Sequence, residues 1–134
     1  MEKMKSILHD ILSSLEDDYK VSDIRTCVYW TAVTSLRCGL ASTMAASLFP
    51  SEGHQVVCAG NLLPTGAKES ARLSLSSRTL EAAIGIATIN SMLLIDESLL
   101  SASIVVDHDQ VLNCICQGAN FRQVYGVCKV IIRR

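Results

Sequence analysis

The run from Arg78 to Ile95, RTLEAAIGIATINSMLLI, constrains this chain more than any other segment. It holds no proline and is rich in good helix formers, so it predicts an α-helix of several turns. At about 100° per residue, Arg78, Glu81, Gly85 and Thr88 fall on one stripe. Leu80, Ala83, Ile86, Ala87 and Leu94 form a broad apolar side, with Asn90 near its middle. Such a side needs an apolar surface of another element to lie against. Asn90 is therefore predicted to be buried, and a buried amide must find hydrogen-bond partners. It either pins a neighbouring loop backbone, the commoner use, or points into a ligand cleft. Glu81 belongs to the first turn, where a carboxylate complements the helix dipole. Arg78 is within i,i+3 reach of it. That explains Glu81 more simply than a general-base role, for which no partner residue can be named. Gly85 costs about 1 kcal/mol relative to alanine, which close approach of another backbone would offset.

The rest of the chain supplies the surfaces. Met4, Ile7, Leu8, Ile11, Leu12 and Leu15 recur at helical spacing and predict an amphipathic helix over residues 1–18, stopped by Glu16-Asp17-Asp18. From Val21 to Ser35 the residues are largely β-branched or aromatic, and two or three antiparallel strands are expected between Val21 and Met44. Arg37-Cys38-Gly39 reads as the turn before the last of these. Gly39 and Gly60 are read first as positions that permit positive φ, with a ligand-binding role as the alternative. Thr65 is placed to cap a short helix from Gly66 to about Leu73. Further on, Ile104–Asp107 reads as extended, Asp109–Gln117 as helix and Val124–Ile132 as strand. The fold class is α+β, a small antiparallel sheet packed against helices. The sheet is expected to pack on the first helix and on the one from Arg78.

Composition removes several function classes. The net charge is −1, so there is no basic field for a phosphate backbone, and nucleic acid is not an expected partner. The longest nearly apolar stretch, Leu80–Ile95, is shorter than the ~20 residues of a membrane span and is interrupted by polar residues. The N-terminus lacks the apolar core of a signal peptide. A cytoplasmic location is expected, and with it six reduced cysteines. No Walker A, G-x-G-x-x-G, G-x-S-x-G or H-E-x-x-H motif is present.

Three stretches carry a resemblance. They are Thr31-Ala32-Val33 followed by Gly39 to Thr43, then Ala59-Gly60-Asn61-Leu62-Leu63 leading into Ala67-Lys68-Glu69, then Ser77 to Leu94. Over roughly Lys5 to Ile95 the chain resembles the N-terminal domain of the family named for putative heavy-metal chelation, whose helix carries Glu-(apolar)-Gly-x-Ala-x-x-Asn. The resemblance implies an enolase-N-terminal-like domain over residues 1–100. It also implies that residues 101–134 are a C-terminal extension like the start of a Rossmann-like second domain.

Metal chemistry is tested because that name suggests it. Neither Cys-x-x-Cys nor His-x(3–5)-His spacing is present. The first constellation able to take a soft or transition metal ion is Cys38, His54 and Cys58; Cys114 with Cys116 is the second. The ligand-binding candidates are Glu81, Asn90, Gly39 and Gly60. The expected function is a non-catalytic binding or accessory domain, with heavy-metal or metal-cofactor handling implied by the resemblance alone. The alternatives are a cap over the site of an enzyme's second domain, and a structural subunit or remnant. The apolar residues from Val124 to Ile132 are expected either to dock on the chain's own sheet or to pair across a dimer; a symmetric homodimer is favoured, because no second sheet within the chain is expected to receive them.

Overall fold

The computed structural model describes residues 2–43, 56–93, 103–107 and 129–133. Helix α1 spans Glu2–Ser14, strand β1 Asp23–Thr26, β2 Trp30–Thr34 and β3 Cys38–Ser42. Helix α2, Ala67–Ala71, runs directly into a 3₁₀ turn, Arg72–Leu75. Helix α3 spans Thr79–Met92, and strands β4, Ser103–Asp107, and β5, Lys129–Arg133, follow.

The β-branched stretch forms a three-stranded antiparallel sheet in the order β1-β2-β3. Asp23 pairs with Thr34 and Thr26 with Thr31; Trp30 pairs with Ser42 and Thr34 with Cys38. The α+β class and the antiparallel sheet are as the sequence predicts. The second turn is not. It lies at Ser35–Arg37, and Cys38 and Gly39 are already strand.

Helix α3 lies on β2 and β3, and on its other side it meets α2 and the 3₁₀ turn. Covered on both sides, it buries its polar stripe too: Glu81, Gly85 and Thr88 are all buried. The burial expected of Asn90 is corrected here, since that residue is exposed. The amphipathic reading assumed one covered face, and this helix has two.

Two glycines set these contacts. A Cβ on Gly39 would overlap the backbone of Ala87 and Ser91 in α3. One on Gly85 would overlap the backbone of Leu73 and Ser74 in the 3₁₀ turn. Gly39 is thus present for close approach, not for positive φ. Among the described residues only Gly60 has that conformation, at φ +93°.

Helix α1 joins the core from the side. Leu8, Ile11, Leu12 and Leu15 pack partly buried against the cluster built on Val21, Val33, Ile84 and Met92. Among the elements it meets the 3₁₀ turn most closely, and the cluster it packs against includes Val33 of β2 and Ala41 of β3. Helix α2 is capped from a distance. Its N-cap is Gly66, which has no side chain, and Thr65 instead donates to the Leu62 carbonyl at 2.7 Å. Asp18 supplies the missing acceptor, taking the Lys68 N–H at 2.9 Å.

Strands β4 and β5 pair in parallel, Ser103 with Lys129 through Asp107 with Arg133. The C-terminal strand therefore has a partner within the chain, which corrects the premise on which a dimer was expected. The helix expected at Asp109–Gln117 lies outside the described residues.

Gly39→Ala and Gly85→Ala are expected to lower stability by about 2–4 kcal/mol, because a rigid backbone must move. Gly60→Ala meets no atoms within 4 Å and strains only its own φ. Its expected cost is about 1 kcal/mol. Urea unfolding of the three variants measures the order, and a Gly60→Ala loss equal to the others would contradict it.

Candidate functional site

The residues singled out in the sequence converge on α3 and on what it touches. Glu81 enters from the first turn of the helix and is 7% exposed. Its two oxygens are divided between two segments. Oε1 accepts the Val57 N–H at 2.8 Å, and Oε2 accepts the Ser76 hydroxyl at 2.5 Å. Arg78 Nη1 stands 3.6 Å from Oε1, the i,i+3 pair the spacing predicts. The carboxylate thus ties both the turn at residues 57–60 and the approach to α3 onto the helix. Burial raises the Glu81 pKa, but the Ser76 and Val57 hydrogen bonds and the Arg78 charge more than offset it. The group is held below its ordinary value of 4.5.

Asn90 sits at the other end of α3, where its Nδ2 donates to the Leu40 carbonyl of β3 at 2.7 Å. The side chain pins a strand backbone from the surface. Beside it the turn at Ser35–Arg37 closes the helix end. The Arg37 N–H donates to the Ser91 carbonyl at 2.9 Å, and the Ser35 and Ser91 hydroxyls lie 2.5 Å apart in the interior. Gly39 lies between these ties.

Gly60 lies in a different place, on the exposed turn that Val57 begins. There the Asn61 N–H returns to the Cys58 carbonyl at 2.9 Å. Below this turn is a cleft of about 260 Å³, bounded by Ile24 and Thr26 of β1, by Val56, Leu62 and Leu63, and by Ile84 of α3. Of the four ligand-binding candidates, Glu81 and Gly60 flank this turn and cleft, whereas Asn90 and Gly39 lie together at the far end of α3.

The cysteines behave differently from one another. Cys58 is exposed on the turn. Cys38 is buried in β3, and burial pushes its thiol up to about 11, against the Thr34 hydrogen bond that lowers it and with Asp23 raising it further. It is a neutral thiol at pH 7, whereas a metal is bound by thiolate. Cys27 is half-buried. His54, Cys114 and Cys116 lie outside the described residues.

Sequence reading did not find Ser76, the Val57 N–H or Asp18. Ser76 left a trace: serines directly before a helix with Glu in its first turn resemble a capping box. Here the hydroxyl donates to the carboxylate, and its oxygen also accepts the N–H of the N-cap residue Arg78 at 3.1 Å. The other two partners left no local signal, because they come from distant parts of the chain.

These features define a small α+β domain organised on one clamped helix. The chain belongs to the family described as putative heavy-metal chelation, whose model matches residues 8–93. A solved protein of unknown function from the DUF364 family of Desulfitobacterium hafniense DCB-2 is similar in fold. It has a TM-score of 0.55 and 23% identity over 68% of this chain and 35% of that one. The chain therefore spans about a third of the length of that relative. No functionally curated protein matches it.

The described residues do not fit the metal that the family description implies. Among them no group of three His, Cys, Asp or Glu side chains is placed to hold a metal ion. Glu81 has both oxygens engaged.

A pH series tests the clamp. A carboxylate with a lowered folded pKa stabilises the fold above its unfolded pKa, and that contribution is lost as pH falls through the folded pKa. Glu81→Gln is expected to cost about 1.5–3 kcal/mol at pH 7. The gap from the parent protein should narrow below pH 4.5. A gap that stays constant down to pH 3 would show that the charge of Glu81 is not what holds the clamp.

Proposed function

We propose that this chain is a binding or accessory domain that does no chemistry of its own and serves heavy-metal or metal-cofactor handling. One observation carries the non-catalytic part. The family's helix motif is occupied with holding the fold together. Glu81 ties the Val57 turn and Ser76, Gly85 admits the 3₁₀ turn, and Asn90 pins β3. The metal part rests on the family description, and the enolase-N-terminal-like kinship of the fold belongs to the same proposal, as does a cytoplasmic location. No described helix is long and apolar enough to cross a membrane.

A second reading, a cap over the site of another domain, is favoured by β4 and β5. Ile104-Val105-Val106 and Val130-Ile131-Ile132 are continuous apolar runs. Parallel strands of that composition are normally covered on both faces. Two strands alone do not make a stable sheet.

Metal analysis of untagged protein tests the first reading. A soft metal in stoichiometric amount should be lost in Cys58→Ser or in Cys116→Ser, and kept in Glu81→Gln. Retention in both cysteine variants would refute both thiol constellations. Protein that takes up no Zn²⁺ or Cu⁺ when these are supplied would remove metal handling from the proposal.

Assembly is part of the proposal as well. Among the described residues the β4–β5 pair has no third strand, and a symmetric homodimer is the simplest way to pair its outer edges. Light scattering should give a dimer for the intact chain and a monomer for one ending at Gln123. A monomeric intact chain, or a dimer that survives the truncation, would rule these strands out as the assembly element.

A further inference from the structure

A groove of about 490 Å³ runs between the later part of α1 and the segment formed by α2 and the 3₁₀ turn. That volume lies within the ~300–1,000 Å³ of small-molecule sites. Its lining combines two chemistries. Leu12, Leu15 and Leu75 supply the apolar part, each only partly buried by the fold. His9, Lys68 and Arg72 supply the polar part together with the Ser13 hydroxyl, and no lining residue is acidic.

The cations are positioned but not neutralised. Lys68 Nζ donates to the Glu16 carbonyl at 3.0 Å, a neutral acceptor that fixes the ammonium without cancelling its charge. Arg72 Nε is 3.7 Å from Glu69 Oε2, with both side chains more than two-thirds exposed. Solvent leaves such a pair little strength. The nearby Asp18 accepts the Lys68 and Tyr19 N–H groups on Oδ1 and does not line the groove, although it keeps its charge. Glu16 and Asp17 line a separate cleft with Ser14 and Tyr19. In a chain of net charge −1 this basic lining is a local feature.

We propose that this groove binds an amphiphilic organic anion, a carboxylate carrying a short apolar chain. The carboxylate meets Lys68 and the forked donors of Arg72, which suit its planar geometry. The chain lies along Leu12, Leu15 and Leu75, removing their remaining apolar surface from water. Neither half of the site suffices alone. The cations are too exposed to hold a bare anion, and the leucines are too few to hold a neutral chain.

Octanoate, titrated into the ¹⁵N-labelled full chain and followed by amide shifts, tests the site. Acetate, 1-octanol and octyltrimethylammonium are titrated in parallel. Octanoate should give saturable shifts at His9, Leu12, Lys68, Arg72 and Leu75, and the other three should bind far more weakly at those amides. Arg72→Gln should weaken octanoate binding about three- to fivefold. Arg72→Lys should retain part of the affinity, and Leu63→Gln, in the cleft beside β1, should leave it unchanged. Equal binding of 1-octanol or the ammonium would overturn the role of the cations, and equal binding of acetate that of the leucines. Saturable shifts confined to other residues, or none up to the solubility limit, would overturn the site itself.

Discussion

Helix α3 is held between two backbones, and at each contact one partner has no side chain. Gly39 lets β3 come against Ala87 and Ser91, and Gly85 lets the 3₁₀ turn come against the helix from the opposite side. Dispersion attraction falls steeply with separation, so contacts this close contribute strongly and tolerate little added volume. The polar ties depend on the same spacing. Asn90 reaches the Leu40 carbonyl, and Arg37 the Ser91 carbonyl, only because β3 and its turn lie so near the helix.

What was legible in the sequence follows from this. The β-branched run from Thr31 to Thr34 states its conformation locally, and so does the alanine- and leucine-rich helix. The side of that helix to be covered was not legible, because the pattern was read as if one face met solvent. A helix clamped from two sides buries Thr88 and Glu81 along with its alanines, with Thr88 donating to the Ile84 carbonyl at 2.7 Å. Asn90, near the middle of the expected apolar side, is left exposed. Gly39 misled for a related reason. A glycine in a sequence signals a turn or a near neighbour, and only the tertiary structure distinguishes them. Asp18 as the cap of α2 joins segments some fifty positions apart, a pairing no local spacing encodes. The candidate site was legible as a set of residues on one helix, but not as a set of internal ties.

The family's helix motif thus has a physical account that does not involve a ligand. Its glutamate has each oxygen engaged in a hydrogen bond, one with the Val57 N–H and one with the Ser76 hydroxyl, and losing either would leave a donor seeking a new acceptor. Glu81, Gly85 and Asn90 of the motif thus each hold the domain together.

The two kinds of strand pairing in this chain differ in how they can form. The β1–β2–β3 sheet joins neighbours across two short turns, so its ladder can grow outward from local contacts. The β4–β5 ladder must first bring together segments separated by residues 108–128. Closing a loop costs entropy before any contact rewards it, and each doubling of its length adds about 0.6 kcal/mol. Parallel pairing is also slightly weaker per residue than antiparallel. The three-stranded sheet is therefore the locally encoded part of the chain, whereas the clamp on α3, whose Ser35–Ser91 and Asn90–Leu40 ties join distant segments, and the parallel pair both have a long loop to close.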